Sequence, residues 1–189
     1  MRTSLRQVVL LAAALALVAA LGACGVKEDE ITHGETEGAY LDLGELKYQV
    51  QISRQLSPAD REDEAYLLGL PAEERELAPN ETWFAIFMRV QNITDEPHPA
   101  AEEFEIRDTQ GEVFEPVELG PENVFAYRPV EIPADEILPN PDSPPAENTI
   151  QGSLVLFKIP FANLENRPLE LEIHDPATSD STVTVDLDI

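Results

Sequence analysis

The chain has 189 residues, and its 12 Lys+Arg against 37 Asp+Glu give a formal charge of −25 and a pI near 4.2. One domain with decorations fits that length, and 43% hydrophobic with 26% charged residues allows a core, which excludes an acidic disordered polymer. So negative a surface repels phosphate backbones and lacks a basic stripe, which excludes direct nucleic-acid partners. The single cysteine excludes an intrachain disulfide framework and a cysteine-based zinc cluster.

Met1 to Arg6 carries two arginines and no acid, and an apolar run from Val8 to Leu21 follows. This is the charged start and apolar middle of an export signal, shorter than the ~20 residues a spanning helix needs. Leu21-Gly22-Ala23-Cys24 closes it and resembles the lipobox of bacterial lipoproteins. That resemblance implies cleavage before Cys24, a diacylglycerol on its thiol, and an extracytoplasmic protein held on the cell membrane. Two or three acyl chains suffice for stable anchoring. The competing reading is an ordinary secretory signal or uncleaved anchor with a chance cysteine. Loss of residues 1–23 removes Arg2 and Arg6 but no acid, so the charge goes from −25 to −27. Residues 24–38 then read as the lipidated cysteine and an acidic tether with a reach of roughly 20 Å.

The expected domain spans residues 39–189. Leu46, Tyr48, Val50 and Ile52 alternate with polar residues, the period-two mark of a half-buried strand. Residues 82–92 are apolar on both sides, as in a central strand, with Phe84, Ile86, Met88 and Val90 on the better core face. Phe104–Arg107 and Glu112–Glu115 are joined by Asp108-Thr-Gln-Gly111, a hairpin composition. Residues 150–159 form another apolar strand closed by Pro160. Leu169, Leu171 and Ile173, then Val183, Val185, Leu187 and Ile189, alternate cleanly with polar residues. About seven strands without strand–helix alternation predict an all-β, immunoglobulin-like antiparallel sandwich. Two long insertions interrupt it, near 55–80 and 120–148. Ser57-Pro-Ala-Asp60 predicts the cap of a short helix to Leu68, and the proline-rich stretch 129–145 predicts an extended loop without regular structure.

Several strings are similar to an uncharacterised lipoprotein family, mostly actinobacterial, with a telokin-like, immunoglobulin-like domain. They are the lipobox, Tyr48-Gln-Val-Gln-Ile52, Trp83-Phe-Ala-Ile-Phe-Met-Arg-Val-Gln-Asn92, Ile106-Arg-Asp-Thr-Gln-Gly111, Phe125-Ala-Tyr-Arg-Pro129, Gln151-Gly-Ser-Leu-Val-Leu-Phe-Lys158 and Asn166-Arg-Pro-Leu-Glu-Leu-Glu172. The resemblance covers nearly the whole mature chain. It implies fold and anchoring, and it carries no catalytic residues over.

Candidate chemistry is thin. His33, His98 and His174 are far apart in sequence and show no ligand spacing. The carboxylate runs Asp60–Glu64, Glu102-Glu103 and Asp135-Glu136, with Asp142 and Glu147, offer calcium oxygens but no calcium-loop motif. There is no Gly-x-Ser-x-Gly elbow, phosphate loop or dinucleotide fingerprint, so neither catalysis nor a cofactor is expected. Phe125, Tyr127 and Arg128, beside the proline-rich stretch, are candidates for a recognition patch, against their use in closing the sandwich. Asn80-Glu-Thr82 and Asn92-Ile-Thr94 match the glycosylation sequon by chance. The expected function is a non-enzymatic accessory module that binds a protein or envelope partner through its insertions. A cation or small-solute binder and a passive acidic spacer are the alternatives.

Overall fold

The computed structural model describes residues 30–178 and 181–188, so the targeting segment, the lipobox Leu21 to Ala23 and Cys24 lie outside the described residues. Twelve strands occur in chain order among them: β1 His33–Gly34, β2 Leu41–Leu43, β3 Leu46–Leu56, β4 Glu81–Asn92, β5 His98–Pro99 and β6 Phe104–Arg107. Then come β7 Val113–Phe114, β8 Glu131–Ile132, β9 Ile137–Leu138, β10 Ser153–Pro160, β11 Leu169–His174 and β12 Thr182–Leu187. A four-residue helix, α1 Pro144–Glu147, and a 3-10 turn at Asn163–Glu165 are the helical pieces described.

The first sheet runs β1-β12-β11-β6-β7 and the second β10-β4-β3-β2. β9 takes over from β10 along β4 at Val90 and Gln91, and β5 pairs with β8 apart from both sheets. Among the named strands, all pairings are antiparallel except the short one of β1 with β12. The chain thus forms the expected all-β sandwich. Alternation in β11 and β12 turns Leu169, Leu171, Ile173, Val183, Val185 and Leu187 inward, where they meet Phe84, Ile86, Met88 and Val90 of β4. Each such large side chain stabilises by about 1.5–3 kcal/mol on burial.

A second core lies on the other side of the second sheet. Trp83, Ala85 and Phe87 of β4, Leu154 and Leu156 of β10, and Leu56 of β3 face Tyr66, Leu70 and Leu119 from outside the strands. Tyr66 packs edge-on against both Phe87 and Phe125, with ring centroids 4.9 and 5.0 Å apart. The apolar character of β4 on both faces therefore has two causes: one face meets the first sheet, and the other is roofed by the insertions.

Four expectations change. Ile52 does not continue the inward row of Leu46, Tyr48 and Val50; a bulge between Val50 and Ile52 reverses the alternation and leaves Ile52 37% exposed. Ser57 to Leu68 is a chain of turns instead of a helix. Ser57 Oγ accepts from Ala59 N and the Asp60 carboxylate from Glu62 N, while Asp63 turns away to hold the Ser57 amide at 2.8 Å and the Arg54 guanidinium at 2.6 Å. These local side-chain bonds compete with a continuous helix ladder.

The stretch 129–145 is not wholly irregular, since β8, β9 and the start of α1 lie in it. Asn92 clamps it. This fully buried amide donates to the carbonyls of Glu96, Ile132 and Pro133 and accepts from Thr94 N, which gives the Asn-x-Thr string a structural use. Finally, the segment expected to be a tether up to Gly38 belongs to the sandwich from Ile31 on. β1 pairs with β12, and the Glu37 carboxylate accepts from Ser53 N and Asp188 N at 3.0 and 3.1 Å.

Candidate functional site

The two insertions form one layer over the outer face of the second sheet. The first is 57–80; the second is 115–128, which starts before the expected 120–148 and takes in only its first part, joined by Asn148, whose Nδ2 donates to Tyr66 Oη at 2.9 Å. Asn123 joins them: its buried amide donates to Tyr66 O and Leu68 O, both at 2.9 Å, and its oxygen accepts from Phe125 N and Ala126 N. Gly120 N donates to Gly69 O at 2.7 Å. Gly69 has φ +74, and a Cβ there would lie 2.9 Å from Gly120 N, so the close backbone approach needs glycine. The outer edge of β10 is covered by the same layer, with Val117 N donating to Leu156 O and Tyr127 N to Leu154 O, each at 2.7 Å.

Among the clefts at this roof, two adjoin where the insertions meet. One, of about 360 Å³, lies between 116–119 and 126–129 and reaches Leu154 and Leu156 of β10, with Glu102 and Glu118 at its rim. The other, of about 620 Å³, runs between 69–75 and 118–122. Both volumes fall in the range of binding clefts. Leu119 and Arg128 line both, so the clefts are neighbours. Leu68 and Val124, one on each insertion, are 54% and 59% exposed.

Of the three residues expected in a recognition patch, two are spent on closing the fold. Phe125 is partly buried in the second core. Tyr127 lies in the inter-sheet core, edge-on to Phe104, and its hydroxyl donates to Ala101 O at 2.9 Å. Burial pushes its phenol well above the ordinary value, and burial likewise pushes that of Tyr48, which accepts from Ala101 N, up to about 12. Arg128 lines the clefts while donating to Leu119 O and Gly120 O at 2.8 and 2.6 Å, so its charge props the cleft wall. The usable surface is made by Leu68, Val124 and the cleft rims, which no local motif marks.

The first sheet's outer face is different. His33, Glu170 and Asp186, and separately Glu105, Glu172 and His174, each bring three potential ligand atoms within 4.8 Å of one another. The sequence separates these histidines from any partner, but strand register joins them: Thr184 pairs with both His33 and Glu172, and Glu172 with Glu105. None of the carboxylate runs expected to offer calcium oxygens supplies a member of either group.

No protein-family model matches the chain, and no curated protein does. Among solved structures, the chain is similar to the yjhA protein of Bacillus subtilis, with 13% identity and a TM-score of 0.56 over 82% of this chain and 99% of that one. It is also similar to a functionally unknown protein of Listeria monocytogenes EGD-e, at 11% identity and a TM-score of 0.50 over 82% of this chain and 84% of that one. These likenesses are of fold alone.

Proposed function

We propose that the chain is a non-enzymatic binding module, anchored by lipid on Cys24 outside the cell membrane, that recognises a protein or envelope partner over the roof. The basic start, apolar run and lipobox support the anchor, as does the resemblance to the lipoprotein family. The observation that carries the binding surface is the union of the two insertions through Asn123 and Gly69–Gly120, which fixes two adjoining clefts with exposed Leu68 and Val124 beside them. Loops held this firmly on a rigid scaffold are where binding surfaces are built.

Photo-crosslinking in intact cells tests it. A photoreactive residue at position 68 or 124 is expected to trap a partner, and one at Val113, 40% exposed on β7, is not. Equal or absent adducts at all three would refute the assignment. For the anchor, Cys24→Ser is expected to release the protein from membranes or block its processing, and an unchanged membrane fraction would contradict lipidation.

A further inference from the structure

We propose that His174, Glu172 and Glu105 form a site for a divalent transition-metal ion on the outer face of the first sheet. β11 places Glu172 and His174 two residues apart on one face, and its pairing with β6 sets Glu105 opposite Glu172. One ligand atom from each of the three lies within 4.8 Å of the others.

The histidine is held as a ligand would be. Thr182 pairs with it across β12, and its Oγ1 lies 3.2 Å from Nδ1. The His174 amide donates to Glu103 O at 3.2 Å, which fixes the end of the strand. In the tautomer whose Nδ1–H donates to the threonine hydroxyl, Nε2 carries the lone pair. Nε2 is shut off from solvent and has no hydrogen-bond partner. Native structures rarely leave a buried polar atom so, unless an ion or water takes it.

The two carboxylates are held, and an ion entering here would share them with a guanidinium. Arg107 donates to Glu172 at 2.6 Å and to Glu105 at 3.4 Å, which fixes both carboxylates in place beside His174. A cleft of about 310 Å³ lined by Glu102, Glu103, His174, Asp175 and Pro176 adjoins the histidine and adds negative potential beside it. One imidazole with two carboxylates suits Zn²⁺ or Cu²⁺ better than Ca²⁺ or Mg²⁺, which take oxygen alone, and it leaves coordination positions for water or a partner's group. The other group on this face lacks the decisive feature, a buried ring nitrogen without a partner: the His33 side chain is 48% exposed. It serves as the internal control.

Titration of the metal-free full chain in detergent with Zn²⁺, followed by calorimetry, tests the site. One equivalent is expected to bind. His174→Ala should abolish binding and Thr182→Val should weaken it about tenfold. Arg107→Gln should tighten it by removing a competing cation, and His33→Ala should leave it unchanged. The ring-nitrogen resonances of His174 in the unaltered protein give a readout free of folding effects, with Nε2 shifting on Zn²⁺ addition. An unmoved Nε2 resonance, no binding at millimolar Zn²⁺, binding that survives His174→Ala, or binding lost with His33→Ala would each overturn the proposal.

Discussion

The two outer faces of this sandwich are built on opposite plans. On the first sheet, Glu170, Glu172, Thr182, Thr184 and Asp186 alternate with core residues and stand at the surface without a cover. On the second, Trp83, Ala85, Phe87, Leu154 and Leu156 occupy the corresponding outer positions, and two insertions bury them. A polar outer face needs nothing more than solvent, whereas an apolar one must find a partner layer, and here the chain supplies its own. The roof therefore has a structural duty before any binding role. It also explains how loops this long keep a fixed shape.

The largest expected effect comes from the roofed side. Phe87→Ala should lower the unfolding free energy by about 3–5 kcal/mol in denaturant titration, like truncation of an aromatic in any close-packed core. A cost near 1 kcal/mol would mean the roof is loosely seated. Asn123→Ala should come next, at about 2–3 kcal/mol, because it leaves the carbonyls of Tyr66 and Leu68 and the amides of Phe125 and Ala126 unpaired in one step.

At the hairpin joining β6 and β7, Asp108 gives a pH-dependent effect of roughly 2 kcal/mol. Burial alone would raise its carboxyl, but hydrogen bonds from the Asn166 and Asn163 side chains and from the Glu112 and Gln110 amides outweigh it and bring it to about 2, against 3.8 as the ordinary value. The folded state thus takes up this proton later than the unfolded one. The stabilisation is fully present above about pH 4 and is lost as pH falls through about 2. Asp108→Asn should flatten that part of the stability–pH curve, and an unchanged slope would show that other carboxylates set it. The smallest effect belongs to the bare face. Arg107→Ala breaks ion pairs with Glu172 and Glu105 that stand at the surface, so it should cost about 0.2–1 kcal/mol, fading with added salt.

How much of this was legible in the sequence follows the same division. Clean alternation in residues 169–173 and 183–187 marks a sheet with one solvated face, and the two-sided apolar run of 82–92 marks a strand covered twice. What covers it is not written locally. Tyr66, Leu119 and Asn123 come from separate insertions, and only the folded chain brings them onto Phe87. The bulge that turns Ile52 outward has no marker in Gln49-Val-Gln-Ile-Ser, because either parity of those residues fits a strand. Ser57-Pro-Ala-Asp reads as a helix cap, yet the Arg54 guanidinium and the Ser57 amide claim Asp63 and turn the chain instead. The histidines looked isolated because their neighbours are set by register across β6, β11 and β12, not by spacing along the chain.

Amide hydrogen exchange on the intact protein and on Asn123→Ala tests most directly whether the two insertions are one built layer. Amides in 57–79 and 115–128 are expected to be protected to a common degree in the intact protein. Both segments should lose protection together in the variant while β4, β10 and β11 keep theirs. Exchange of the two segments at free-loop rates, or loss of protection in one without the other, would contradict a single built layer.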